Sequence, residues 1–312
     1  MTTVRIRLLW LPQAQFAGYH IAEQRGLAAP AGVAIACEPI VFGESAADAV
    51  VAGKVEMAVA SPSHLLESRD PAALAFILAI QQESPLVYPV KRASGITRLA
   101  QLAGRKVGVW PGHEDLELRW MLRRAGVDER AVERVPVNDT VAALCDDQVA
   151  AAQMTTYHEL HQAEHRLGHG ALLPFDAAAH GASLLKDGLL VRKDWLARNA
   201  ATAQAVVDAV LQGWTIAFTD AEAALAACAV ARPEMGRAEQ GAQLADIRSL
   251  SLRGATRVHG LGYPDPVHVA RALEAMAEVG LPAPPLVPAE VADPRFWQAA
   301  PARWRAAAWP ST

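Results

Sequence analysis

Short apolar runs alternate with helical patterns through the first two thirds of this chain, and that alternation constrains its fold more than any other feature. "VRIRLL" alternates with period two from Val4. "GVAIACEPIVF", "VEMAVA", "LAFILAI" and "PLVYPV" are further strand candidates, and "SAADAVVAGK" between them reads as a helix opening on Ser45 and stopping at Gly53. Strand, helix, strand at this spacing specifies parallel βαβ units. A second set follows from about residue 92. "GITRLAQLAG" reads as a short amphipathic helix and "RKVGVW" as a strand. "HEDLELRWMLRRAG" reads as a helix carrying Leu116, Leu118, Met121 and Leu122 and ending at Gly126. "VERVPV", "DTVAALCDDQ" and "VAAAQM" then repeat the pattern. From Asn199 to Glu278 the chain is nearly all helical, and the Pro- and Ala-rich tail from Leu281 is expected to be a wrapped or partly mobile extension.

Two α/β sets in tandem predict two lobes, 1–90 with 188–312 and 91–187, and a cleft between them. In open α/β sheets ligands sit at the carboxyl ends of strands, and clefts between domains are preferred small-molecule sites. With 312 residues, 52% of them hydrophobic, the chain can bury a core for two such lobes. A net charge of −4 leaves no basic footprint, so nucleic acid is not an expected partner. Cys37, Cys145 and Cys228 are an odd, widely spaced set, expected as small core residues rather than a disulfide framework or zinc knuckle. No run approaches the roughly 20 uninterrupted apolar residues of a membrane span. The N-terminal residues lack the pattern of a signal peptide, so the chain as written is expected to stay where it is made.

Binding residues are therefore sought just after strands. Trp10, Gln13, Gln15, Phe16 and Tyr19 follow the first; Ser61 and His64 follow "VEMAVA"; Gln81 follows "LAFILAI". Trp110 and Glu114 follow "RKVGVW", Asn138 follows "VERVPV", and Tyr157 and Glu159 follow "VAAAQM". Aromatic rings supply flat stacking faces, while amides, hydroxyls and carboxylates satisfy the hydrogen bonds at a ring's edge. That inventory fits a planar, nitrogen-bearing heterocycle better than a sugar chain or a bare anion. The helix N-terminus opening after Ala60 is the feature that speaks for an anion. "GLGYPD" at Gly260 reads as a turn, and no nucleophile elbow, phosphate loop or dinucleotide fingerprint is present.

"FAGYHIAEQRGL", "GVAIACEPIVFGESAADAVVAGKVEMAVASPSHLL", "AIQQESPLV", "LAGRKVGVWPG", "MTTYHELHQ" and "DGLLVRKDWLARN", in that order, resemble the solute-binding proteins of ABC importers. The branch most similar serves thiamine pyrimidine precursors and is related to the fungal enzymes that make that pyrimidine. The resemblance runs to about residue 280. It implies a two-lobed type II periplasmic-binding-protein fold with an interlobe cleft and a helical C-terminal segment, crossed near Tyr88–Lys91 and Asp187–Leu190 and closing by hinge motion. It implies aminopyrimidine contacts from Trp10, Gln15, Tyr19, Trp110, Tyr157 and Glu159, with Ser61 and His64 in the matching loop. It also implies an ABC permease as partner and a periplasmic location, against which the missing signal sets a cytoplasmic one. The fungal enzymes carry a cysteine-rich motif where this chain has "FDAAAHGASLLKDGLLV", so a ligand-binding protein is expected rather than an enzyme.

The expectation is a binding protein for a thiamine pyrimidine precursor, hydroxymethylpyrimidine or a formylaminopyrimidine, with no cofactor and no metal. Trp10 and Trp110 or Tyr157 would stack, and Gln15, Asn138 and Glu159 would meet the ring edge. The alternatives are a cytoplasmic enzyme or sensor on the same fold, and a sulfonate, nitrate or flavin as ligand. His158, His161, His165 and His169 share one helical face, read as a solvated face in preference to a weak metal site.

Overall fold

The computed structural model describes residues 1–111 and 115–306 and divides the chain into two compact units. The first comprises Met1–Gln82, Leu185–Ala272 and the residues from Pro284 onward; the second comprises Glu83–Leu184 and Leu273–Ala283. In chain order the strands are β1 (Thr2–Arg7), β2 (Val33–Glu38), β3 (Met57–Ala60), β4 (Leu74–Ala79), β5 (Leu86–Lys91), β6 (Lys106–Val109), β7 (Glu133–Pro136), β8 (Ala151–Ala152), β9 (Met154–Thr155), β10 (Leu172–Asp176) and β11 (Gly188–Arg192). The first unit's sheet has the order β2-β1-β3-β11-β4, and the second's β10-β5-β8-β6-β7 with β9 paired to β5. β1 runs parallel to β2 and β3, and β6 parallel to β7 and β8, as the strand–helix–strand spacing predicts.

In the first unit the period-two pattern of β1 sends Val4 and Ile6 into the core with Leu8 beyond them. The intervening Arg5 is held by Glu56 through Nε and Nη2 at 3.0 and 2.7 Å. β4 is apolar along its whole length and entirely buried, although it lies at the sheet edge. Returning chain covers that edge: Ala79 N donates to Gly262 O at 3.0 Å and Asp293 N to Phe76 O at 2.8 Å. The C-terminal tail up to Ala306 is therefore in part a strap that satisfies an otherwise open edge.

The Ala17–Gln24 helix lies against the long Ala200–Thr219 helix at a crossing of two glycines. A Cβ added at Gly213 would stand 2.1 Å from the Gly18 carbonyl oxygen, and one at Gly18 would stand 2.3 Å from the Trp214 ring. Only glycine at both positions lets the backbones approach this closely. Tyr19 packs edge-on to Trp214, with ring centroids 6.0 Å apart.

In the second unit the Leu116–Arg124 helix organises the core. Trp120 is wholly buried and its indole N–H donates to Glu278 at 2.8 Å, while Arg119 bonds Glu129 and the Val279 carbonyl. These bonds attach Leu273–Ala283 to this unit, whereas the sequence expectation kept 188–312 together. The buried Glu117 accepts from Leu184 N at 2.6 Å and from Ser84 Oγ at 2.9 Å, tying down the places where the chain enters and leaves the unit. Glu117→Gln puts an amide donor in front of one of these donors. It is expected to lower stability by about 1–3 kcal/mol, the cost of a buried unpaired polar group; unchanged denaturant unfolding would contradict this role for Glu117.

Several local expectations change. "GITRLAQLAG" forms a single 3₁₀ turn at Leu99–Leu102 rather than a helix. "GVAIACEPIVF" is a strand only to Glu38, because Pro39 cannot donate to a ladder. "VAAAQM" splits into β8 and β9. β10 is absent from the sequence reading; its Pro174 disguises it, and proline is tolerated there because β10 is an edge strand. Tyr88–Lys91 lies inside β5, and the division between units falls at Gln82/Glu83 and Leu184/Leu185. Cys228 is buried as expected, but Cys37 and Cys145 are half-buried. Among the described residues no single helix is both long and apolar enough to cross a membrane.

Candidate functional site

At the carboxyl ends of the first unit's strands the chain builds a continuous buried polar network. Gln13 Nε2 donates to Gln15 Oε1 at 2.8 Å, and Gln15 Nε2 lies 3.2 Å from both carboxylate oxygens of Asp187. Gln81 Nε2 donates to Asp187 Oδ2 at 2.5 Å. All four side chains are buried. The Gln13–Gln15 stretch is fixed from behind, where Ala14 N and Gln15 N donate to the side-chain oxygens of Gln240 and Gln243 at 2.7 and 3.0 Å. Burial pushes the Asp187 carboxyl up to about 7, against the opposing pull of Gln15, Lys186, Gln81 and His64.

The same bonds decide which polar atoms are left over. Gln13 Oε1 and Gln81 Oε1, both acceptors, and Gln240 Nε2 and Gln243 Nε2, both donors, are buried without hydrogen-bond partners among the described residues. Such atoms cost on the order of 1–3 kcal/mol each where nothing pairs with them.

The other first-unit candidates divide. Trp10 stands half-buried beyond β1, its ring edge-to-face with the exposed Phe42 at 5.5 Å, so it keeps accessible aromatic surface. Tyr19 has no exposed surface; it belongs to the packing under Trp214 and offers no stacking face. Ser61 and His64 bond to each other, and His64 also acts electrostatically on Asp187. Ser61 Oγ lies 2.9 Å from His64 Nδ1, and the pair forms a reciprocal capping box on the Pro62–Leu66 helix. That helix is one turn long, which removes the basis for an anion site at its N-terminus.

In the second unit, Trp110 is half-buried beyond β6, with its backbone N donating to the buried Gln153 side chain at 3.0 Å. Tyr157 is buried just before the Glu159–Leu167 helix. Glu159 is held by Thr155, whose N and Oγ1 both donate to Oε2, at 3.0 and 2.5 Å. Asn138 is exposed, and Asp139 rather than Asn138 caps the following helix, accepting from Ala142 N at 2.8 Å. Glu114 lies outside the described residues. Of the four histidines expected on one helical face, only His161 and His165 lie on the Glu159–Leu167 helix, both exposed; His158 is its half-buried N-cap and His169 lies beyond its end.

Sequence reasoning named Gln15 and Gln81 but missed the residue that joins them. Asp187 immediately precedes β11, whose first four residues, "GLLV", are apolar, and a lone acid at such a place was the available signal. Gln13, one residue from the Ala14–Phe16 turn, follows from the same clustering of amides.

A family model described as NMT1/THI5 like matches residues 13–224. No curated protein matches the chain. Three solved structures superpose over nearly its whole length. The ligand-binding component of an ABC-type import system from Staphylococcus aureus, with zinc bound, has a TM-score of 0.72 at 12% identity and covers 96% of this chain and 99% of that one. The periplasmic nitrate-binding protein of Synechocystis PCC 6803 has a TM-score of 0.72 at 15% identity, covering 98% and 91%. The alkanesulfonate-binding protein of Xanthomonas axonopodis pv. citri, bound to MOPS, has a TM-score of 0.70 at 16% identity, covering 94% and 98%. The α/β fold expected from the sequence, with two sheets and a helical C-terminal segment, is thus the fold of periplasmic binding proteins.

Proposed function

The chain belongs to the NMT1/THI5-like family, and from that premise we propose that it is a solute-binding protein for a small nitrogen heterocycle, delivered to an ABC permease. An aminopyrimidine of the thiamine-precursor class is the ligand that best matches the residues. The observation that carries this reading is the buried amide network on Asp187, together with side-chain atoms that have no partner among the described residues: carbonyl acceptors on Gln13 and Gln81, and amide donors on Gln240 and Gln243 behind the Gln13–Gln15 stretch. An aminopyrimidine presents amino donors and ring-nitrogen acceptors side by side. Nitrate and sulfonates present acceptors only, and would leave the two glutamine carbonyls unpaired beside a buried acid. Asp187 with its carboxyl near 7 serves such a ring in either state, accepting two N–H groups when ionised or donating O–H to a ring nitrogen when neutral. Trp10 supplies an aromatic face in the same unit, and stacking adds about 0.5–1.5 kcal/mol beyond area burial. Trp110, Tyr157 and Glu159 of the second unit form a second set of proposed contacts.

The fold neighbours that bind nitrate and alkanesulfonates favour a second reading, an oxyanion ligand, and the buried Lys186 beside Asp187 is the feature of this chain that speaks for it. A thermal-shift and calorimetric panel separates the two. Hydroxymethylpyrimidine, formylaminopyrimidine, nitrate, an alkanesulfonate and a flavin are each added to the protein. A heterocycle at about 100 times its Kd is expected to stabilise by roughly 2.7 kcal/mol, a shift of several degrees, and Gln81→Ala is expected to weaken it at least tenfold. Stabilisation by nitrate or sulfonate alone overturns the heterocycle in favour of the anion. Chemical turnover of a pyrimidine would move the assignment to an enzyme.

A further inference from the structure

His20 and Glu23 lie one turn apart on the Ala17–Gln24 helix, so they share a face. Cys37 lies on β2, the outer strand of the first unit's sheet. Ligand atoms of these three residues, a ring nitrogen, a carboxylate oxygen and a thiol sulfur, all lie within 4.8 Å of one another. Two further facts distinguish the group from ordinary packing. His20 is 2% exposed, yet neither of its ring nitrogens has a hydrogen-bond partner among the described residues. A buried imidazole normally spends at least one nitrogen on a partner, because an unpaired one forfeits its hydration for nothing. Glu23 is also already anchored against the strand: its Oε1 accepts from Cys37 N at 3.0 Å, and its carboxylate is hydrogen-bonded to the Cys37 thiol, whose proton a metal would displace.

We infer that His20, Glu23 and Cys37 form a binding site for a borderline-soft divalent cation, Zn²⁺ in the first instance. A nitrogen, oxygen and sulfur donor set is one that zinc accepts, with bonds of about 2.0–2.3 Å. Tetrahedral geometry at those lengths puts ligand atoms about 3.3–3.8 Å apart, so closing the site needs ligand atoms to approach by at most about 1–1.5 Å. Three protein ligands leave a fourth position for water or a further donor. The bond formed to sulfur requires the Cys37 thiol to lose its proton to solvent, so binding releases a proton and strengthens as pH rises. The site shares no residue with the Gln13–Gln15–Gln81–Asp187 network. It would clamp the helix that carries Tyr19 to the sheet edge, and so stabilise the first unit independently of any solute.

The test is titration of the reduced protein with Zn²⁺ and, for spectroscopy, with Co²⁺. One equivalent is expected to bind with proton release, and Co²⁺ is expected to show a near-ultraviolet thiolate charge-transfer band. Cys37→Ser removes that band and weakens Zn²⁺ binding at least tenfold; Glu23→Gln weakens it; Cys145→Ser changes neither. His20→Gln is the direct test of the ring, but its buried position puts folding at risk, so the half-buried Cys37 carries the experiment. Absence of metal binding, or cobalt binding without the charge-transfer band, overturns the site. So does zinc binding that survives Cys37→Ser but disappears in a His161→Gln/His165→Gln variant, which would assign the metal to the exposed histidine face. Because the readout is metal binding, failure here leaves the solute reading standing, and failure of the pyrimidine panel leaves this site standing.

Discussion

Gly213→Ala is expected to destabilise the protein by about 3 kcal/mol or more, the upper end of what overpacking costs in a close-packed core. The new methyl would sit 2.1 Å from the Gly18 carbonyl oxygen and 3.3 Å from the Ala22 amide nitrogen. Both are backbone atoms, so no rotamer change relieves the clash and the two helices must separate. Separation also loosens Tyr19 from Trp214. The control is Gly241→Ala, in the Arg237–Ser251 helix, where the added Cβ would meet nothing nearer than Leu225 Cδ1 at 3.9 Å. That substitution is expected to be neutral or to stabilise by up to about 1 kcal/mol through helix propensity. Thermal and denaturant unfolding of the two variants decides the matter: similar stabilities for both would mean that the glycine crossing is loose.

Asp187→Asn is expected to reverse its effect with pH. The folded carboxyl sits at about 7 against an ordinary 3.8, because burial disfavours its charge. Between these values the folded chain binds more protons at this site than the unfolded chain, so the contribution of Asp187 to stability is fully present below pH 4 and is lost as pH rises through 7. Three units correspond to about 4 kcal/mol at most. His20 and His268 act in the opposite sense. Burial lowers each to about 4, so each favours the folded state above pH 6.5 and loses that contribution as acid approaches 4. Total stability therefore hides the Asp187 contribution, and the difference between wild type and Asp187→Asn exposes it. The variant is expected to gain on the wild type steadily from pH 4 to pH 8 and level off beyond. A difference independent of pH would mean that Asp187 stays ionised and that a neutral acid has no part in recognition. The same variant is expected to bind the heterocycle at least tenfold more weakly above pH 7, where the carboxylate can no longer accept two ring donors.

Local pattern alone determined the two α/β sets, the parallel strands, the helical run after Asn199 and the stops at Gly53 and Gly126, because side-chain periodicity and backbone freedom act over a few residues. It also brought Trp10, Gln15, Gln81, Trp110 and Glu159 forward as strand-end residues. Tertiary structure decided the rest. It closed Ser61 and His64 on each other, buried Tyr19 beneath Trp214 and moved Leu273–Ala283 to the second unit. It brought Asp187 to Gln15 across 172 residues of chain and to Gln81 across 106. No periodicity encodes such meetings, because whether a polar group is a cap, a core partner or a site depends on which distant groups it finds when water is excluded.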